Sequence, residues 1–217
     1  MDSTPERLRA RWLGRRGFSE ALALQVAARG EVVAGAPGVV LLVEHPPVLT
    51  LGRRASPGDI LWSEAELAAA GVEVVETPRG GQVTLHAPGQ LVAYPVVLIG
   101  RKIRDHVVRL GRVAAALLAE LGVAGHEFRM EHPGVWLGER KLASIGVHIS
   151  QGVAIQGVSI NLDVAPALFG SLVSCGLRGV EMTSATAVGG RALEVEAAGR
   201  RFAELFAADL GADLTWE

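Results

Sequence analysis

Apolar and polar residues recur along this chain with two different periods, and each period predicts a different kind of element. "FSEALALQVAARG" spaces its apolar residues as a helix does and ends at Gly30, a stop signal. "GVVLLVEH" is a continuous apolar run bounded by glycine and proline, which predicts a buried strand. "HPPVLTLGRR" turns and opens a second short strand. "SEAELAAAG" sets Ser63 and Glu66 at capping-box spacing and closes at Gly71, so a short helix is expected. "VEVVETP" and "QVTLHAPG" alternate as strands do, with "RGG" between them. "QLVAYPVVLIG" reads as another strand, in which Pro95 suggests an edge or a bulge. "DHVVRLGRVAAALLAELG" has the clearest helical period, with Asp105 as its expected N-cap and Gly122 just past its end. "GVWLGERKLASIGVHIS" predicts a hairpin with "GER" at the tip, and "QGVAIQGVSINLD" continues as strand. "VAPALFGSLVSCGLRG" is loop-like, and "RALEVEAAGRRFAELFAADLG" starts irregularly and becomes an amphipathic helix. Strands thus come in groups with few helices between them, which predicts an α+β fold rather than a doubly wound parallel sheet. No repeat, linker or low-complexity stretch divides the chain, so residues 1–217 read as a single catalytic domain.

Composition narrows the function classes. At 217 residues and 49% hydrophobic, the chain can bury a sizeable core. A formal charge of -2 offers no general attraction to nucleic acid or to an anionic membrane. The start, "MDSTPERLRARWLGRRG", lacks the apolar core of a signal peptide, and "LVAYPVVLIG" is too short to span a bilayer. A soluble cytoplasmic protein is expected. One cysteine cannot make an internal disulfide or a thiolate zinc site, and the six histidines are scattered singly, so no metal is expected. There is no G-x-G, no Walker A lysine and no G-x-S-x-G elbow.

Two residue types stand out by scarcity. Of 21 basic residues only Lys102 and Lys141 are lysines. Unlike arginine, lysine can give up its proton, so a retained lysine is a candidate for acid–base work as well as an ordinary surface charge. Cys175 is the lone cysteine, flanked by Ser174 and Gly176. It reads either as a small buried hydrophobe or as a nucleophile. A nucleophilic thiol needs a partner, because an unperturbed cysteine of pKa about 8.5 is only a few per cent thiolate near neutrality. Lys141 is a candidate partner. In "PRGGQVTLH", Gly80 and Gly81 allow close approach, Arg79 could pair with an anion and His86 could move a proton; an ordinary glycine turn fits equally well.

Taken together, "VEHPPVLTLG", "PRGGQVTLHAPGQLVAYPVV", "RKLASIGVHIS", "QGVSINLD" and "SCGLRGVEMTS" resemble the lipoyl(octanoyl) transferases in order and spacing, over most of the chain from Glu44 to Ser184. The resemblance implies the biotin/lipoate-protein ligase-like α+β fold, a mixed β-sheet flanked by helices. It implies Cys175 as the acyl-thioester nucleophile and Lys141, in "KLASIG", as its activating base. It implies substrate contacts at Arg79, Gly80, Gly81, Gln82, Val83, Thr84, Leu85 and His86. Two further substrate segments fall on Ser144, Ile145 and Gly146 and on Gly157, Val158 and Ser159. Leu85, Ile145 and Val158 would suit an eight-carbon tail or plain strand core. Three departures are visible: Gln156 stands where the family usually has histidine, Ala87 where it has glycine, and "VSCG" where "NPCG" is common.

The chemistry implied is transfer of an octanoyl (or lipoyl) group from acyl carrier protein to a lysine of a lipoyl domain. No cofactor is implied, since the acyl group arrives on the carrier's phosphopantetheine. The acceptors would be lipoyl domains of 2-oxoacid dehydrogenase E2 subunits and the glycine cleavage H protein. The rival readings are an ATP-dependent lipoate-protein ligase of the same fold, a non-catalytic acyl or lipoyl-domain binding module, and a cysteine hydrolase using His86.

Overall fold

The computed structural model describes residues 6–172 and 180–217. In chain order it runs β1 (Glu6–Arg15), α1 (Phe18–Val33), β2 (Gly38–Glu44), β3 (Val48–Leu51), α2 (Glu64–Ala69), β4 (Glu73–Glu76), β5 (Val83–His86) and β6 (Gln90–Leu98). It continues α3 (Ile103–Glu120), β7 (Glu127–Arg129), β8 (Gly134–Leu137), β9 (Arg140–Ser150), β10 (Val153–Asn161), β11 (Glu181–Met182), α4 (Val195–Leu210) and β12 (Ala212–Trp216). A large sheet has the order β12-β1-β2-β6-β10-β9-β8-β7, with β11 added on β9, and a small sheet has the order β4-β3-β5. β1 is parallel to both neighbours, whereas β2, β6, β10 and β9 pair antiparallel in succession. The sheet is therefore mixed.

Strands β2 and β6 are continuous apolar runs because both of their faces are covered. Val39, Leu41, Val43, Val92, Tyr94 and Val96 pack with Phe18, Ala21 and Ala28 of α1. The alternate residues, Val40, Leu42, Leu91, Ala93 and Val97, pack with Leu110, Val113 and Leu117 of α3 and Phe202 and Phe206 of α4. Asp209 of α4 joins the two helices by accepting from Arg109 and Arg112 of α3. The small sheet and α2 enclose a third cluster around Leu49, Leu67, Val72, Val83 and Leu85. Among the described residues no helix is long and apolar enough to cross a membrane.

Four expectations change. Helix α1 passes Gly30 and runs to Val33; Gly35, with φ 99°, carries the left-handed turn instead. Asp105 sits in the first turn of α3, where it favours the dipole, and Lys102 occupies the N-cap. β1, unread in the sequence, alternates Arg7, Leu8, Arg9, Ala10, Arg11 and is buried on the Leu8–Ala10 side.

Pro95 lies in a central strand, opposite Val40 of β2. On its other side the β6–β10 pairing stops at Val97↔Ala154 and resumes at Ala93↔Val158. A residue without an N–H costs no ladder bond across that gap. Gln156 sits in the gap with φ 64°, and its N–H donates instead to Oε1 of buried Gln25 on α1 at 2.8 Å.

Candidate active site

Lys141 is the second residue of β9 and is only 2% exposed. The pairing of β8 with β9 sets it opposite Trp136, at a register shift between Val135 and Trp136. Its ammonium lies 4.9 Å from the centre of the indole ring, a cation–π distance. Trp136 is itself fixed, since its Nε1 donates to the carbonyl of His132 at 3.2 Å. Gly134 makes the space: a Cβ there would stand 2.2 Å from the Ala143 carbonyl and 2.5 Å from Cε of Lys141. On the other side of the strand, Met182 of β11 pairs with Lys141, and the N–H of Thr183 donates to the Lys141 carbonyl at 3.0 Å. Cys175 lies outside the described residues; the described chain before it reaches Leu172, which bridges Ile60.

The "RGG" segment folds as a loop against the end of β3. The N–H groups of Gly52, Arg53 and Arg54 donate to the carbonyls of Gln82, Arg79 and Gly81. The Arg79 guanidinium is buried and bonds inward, from Nη2 to the Thr50 carbonyl at 2.6 Å and to its hydroxyl at 2.8 Å. Arg79 thereby fastens its loop to β3, and it also borders the hollows described next.

Two adjoining hollows share Arg79, Thr84, Ser144 and Ile145 in their walls. One is also lined by Lys141, by Gly80 to Val83, by Arg54 and by Glu131 to Pro133. The other is lined by His86, Tyr94, Val92, Gly146 and residues 156–159. The structure thus gathers the predicted segments around two adjoining hollows, the first of which holds Lys141, although they come from a loop and three strands. Gly146 and Gly157 face each other across β9 and β10, as do Ser144 and Ser159. A Cβ on Gly157 would strike the Ala93 carbonyl at 2.2 Å. Leu85 is the exception: it lines neither hollow, because the strand alternation of β5 turns it into the cluster under α2.

His86, read as a group that could donate or accept a proton, is buried beside Gln90. Its Nδ1 bonds Oε1 of Gln90 at 2.8 Å. The amide of Gln90 is oriented by donating to the Leu85 carbonyl and to Oδ1 of Asn161. Oε1 therefore accepts, His86 carries its proton on Nδ1, and Nε2 is left as a lone pair. Burial, aided by nearby His45 and Arg79, pushes the His86 pKa down to about 3, so the ring is neutral near pH 7.

His45 lies beside it, tilted by 58° with ring centres 5.5 Å apart. Its Nδ1 bonds the Arg16 carbonyl and its Nε2 bonds the Tyr94 hydroxyl at 2.9 Å, so tyrosine donates. Burial lowers the His45 pKa to about 4 and raises that of Tyr94. His45, Tyr94, Gln90, Asn161, Trp136 and Gln25 were not singled out in the sequence. His45, Gln90, Tyr94 and Asn161 do lie inside quoted motifs, but what they do depends on partners elsewhere in the chain. Among the described residues no group of three or more His, Cys, Asp or Glu could hold a metal ion.

Comparison with known proteins places this arrangement. Residues 18–207 match the family of the lipoyl protein ligase A/B catalytic domain. The chain is 38% identical to an octanoyltransferase of Desulfovibrio desulfuricans, over 79% of this chain and 73% of that one. It is also 38% identical to an octanoyltransferase of Maridesulfovibrio salexigens, over 89% and 92%. Solved structures share the fold at low identity. A lipoate-protein ligase A bound with ATP superposes with a TM-score of 0.82 at 12% identity, covering 97% of this chain and 88% of that one. A bipartite lipoate protein ligase from Thermoplasma acidophilum, described with its E2 lipoyl domain, gives 0.73 at 12% identity, over 97% and 86%. A biotin protein ligase from Aquifex aeolicus gives 0.52 at 9% identity, over 94% and 69%.

Proposed function

The chain belongs to the octanoyltransferase family, and from that premise we propose that it moves an octanoyl group from acyl carrier protein to a lysine of a lipoyl domain through an enzyme thioester. The observation that carries the reading is the buried ammonium of Lys141, set in a hollow whose walls are the segments that the family resemblance marks for substrate.

In the first step the Cys175 thiolate attacks the octanoyl thioester carbonyl. A new carbon–sulfur bond forms at Cys175, and the carrier's thiolate leaves. The Lys141 ammonium protonates that leaving sulfur and becomes an amine. In the second step the acceptor lysine attacks the enzyme thioester. A carbon–nitrogen bond forms, the bond to Cys175 breaks, and Lys141 takes the proton shed by the incoming amine. Thiolate and ammonium are restored together. Arginine could hold a thiolate by its charge, but it cannot take the second role because it stays protonated. One thioester replaces another and an amide replaces a thioester, so no nucleotide is needed.

The acyl tail would lie along β9. An extended backbone advances about 3.3–3.6 Å for every three bonds. By that measure the seven carbon–carbon bonds of an octanoyl chain extend roughly 8 Å, or two to three residues of strand. Laid along β9 from Lys141, such a chain ends near Ser144 and Ile145, where the two hollows meet.

The test is octanoylation of a lipoyl domain followed by mass spectrometry. Octanoyl-carrier protein alone should support it, and free octanoate with ATP should not. Modification that requires ATP and free acid would assign the chain to the ligase chemistry of its structural neighbours.

A further inference from the structure

Turning an acceptor lysine into an amide releases two protons, since the side chain arrives as an ammonium and leaves as an amide N–H. Lys141 takes one of them in the steps above. The other must leave before attack, because an ammonium nitrogen has no lone pair. The ammonium must also enter a hollow whose walls already carry Arg54, Arg79 and Lys141. Like charge disfavours that approach.

The turn before β8 meets both needs. Glu131, His132 and Pro133 line the Lys141 hollow, where Glu131 is the only carboxylate and His132 the only imidazole among the described lining residues. The turn is fixed from two strands. The Ile145 N–H of β9 donates to the Pro133 carbonyl at 2.9 Å, and Nε1 of Trp136 on β8 donates to the His132 carbonyl at 3.2 Å. The His132 ring lies edge-on to the Trp136 indole, with centres 6.5 Å apart, and the Lys141 ammonium stands over that same indole. Arg129, also over the indole, is committed to Glu127 at 2.7 Å. Glu131 forms no ion pair with a described residue. Both Glu131 and His132 are exposed to water.

We propose that Glu131 and His132 are the receiving site for the acceptor lysine. The Glu131 carboxylate holds the ammonium against the positive wall, and His132 takes its first proton and passes it to water. Imidazole is the side-chain group that exchanges protons near neutral pH. The neutral amine then attacks the Cys175 thioester. The carbon–nitrogen bond forms as the carbon–sulfur bond breaks, and Lys141 takes the second proton. The proposal rests on the acyl-transfer reading above and adds to it two residues that serve the acceptor and not the donor.

The test separates the two half-reactions. Octanoyl-carrier protein charges the enzyme, free carrier is removed, and a lipoyl domain discharges it, with each step followed by intact mass. Glu131→Gln should raise the lipoyl-domain concentration needed for half-maximal discharge by about tenfold, and Glu131→Asp should recover most of that loss. His132→Asn should slow discharge at saturating lipoyl domain by about tenfold near pH 7. That deficit should shrink toward about pH 9.5, where more of the lysine arrives already neutral. Charging by octanoyl-carrier protein should keep its wild-type rate in Glu131→Gln and His132→Asn. Discharge at wild-type rates in both variants would overturn the proposal, as would charging and discharge slowed alike. A His132→Asn deficit of the same size at both pH values would overturn it too. A wild-type enzyme that cannot be charged by octanoyl-carrier protein is a separate result, and it would overturn the transfer reading and this proposal with it.

Discussion

Lys141 owes its position to the residue missing opposite it. Gly134 leaves room for the aliphatic stem, Trp136 supplies the ring below the ammonium, and Thr183 ties the strand from its far side. Gly134→Ala would drive a methyl group into the Ala143 carbonyl and the lysine stem together. A loss of about 1–3 kcal/mol in denaturant stability is expected, with a fall in transfer activity, since backbone must move to relieve the overlap. Lys141→Met separates packing from chemistry: it keeps an unbranched stem on Trp136 and removes the amine. Circular dichroism and melting should change little, while transfer should drop by about 10² or more. Substantial activity in that variant would remove Lys141 from the mechanism.

The sequence marked Lys141 because lysine is so rare here, and strand alternation explains why Leu85 did not join it. Thr84 and His86, on one side of β5, line the second hollow, and Leu85 between them faces the other way. Gln156 was visible as a departure from the family pattern. Its left-handed backbone and its debt to Gln25, 131 positions away, were not. Gln25→Leu should cost about 1–3 kcal/mol, the usual penalty for a buried N–H left without an acceptor.

At the scale of elements, the helices α3 and α4 bury His106 between them. It is 1% exposed, lies edge-on to Phe206, and neither of its ring nitrogens has a hydrogen-bond partner. Burial, with a smaller push from Arg109, lowers its pKa to about 4 from the usual 6.5. The unfolded chain therefore binds this proton more readily than the folded one. The contribution of His106 is fully present above about pH 6.5, fades as the pH falls toward 4, and is constant below that. A shift of that size corresponds to stability on the order of 3 kcal/mol. His106→Leu should flatten the decline of stability between pH 6.5 and 4 relative to wild type, read from denaturant midpoints. Parallel curves for the two proteins would show that His106 is not buried neutral. α3 and α4 were legible because their apolar stripes repeat at the helical period. β1 was not, because its arginines drew attention to charge, although the apolar residues between them alternate. Pro95 signalled an edge or a bulge; it sits in a central strand, where β10 interrupts the ladder around Gln156.

Across the whole molecule, the grouping of strands was enough to give a mixed α+β architecture. The strand order was not, since it depends on long-range pairing: β12 returns to β1, and β10 inserts between β6 and β9. That order is what brings Arg79, Lys141, Ser144 and Gly157 to two adjoining hollows. The measurement that bears most directly on the central claim is the intact mass of the protein after mixing with octanoyl-carrier protein and no acceptor. A gain of one octanoyl group is predicted, absent in Cys175→Ala and discharged when a lipoyl domain is added. An adduct that persists in Cys175→Ala, or octanoylation of the lipoyl domain by Cys175→Ala at the wild-type rate, would contradict the thioester route.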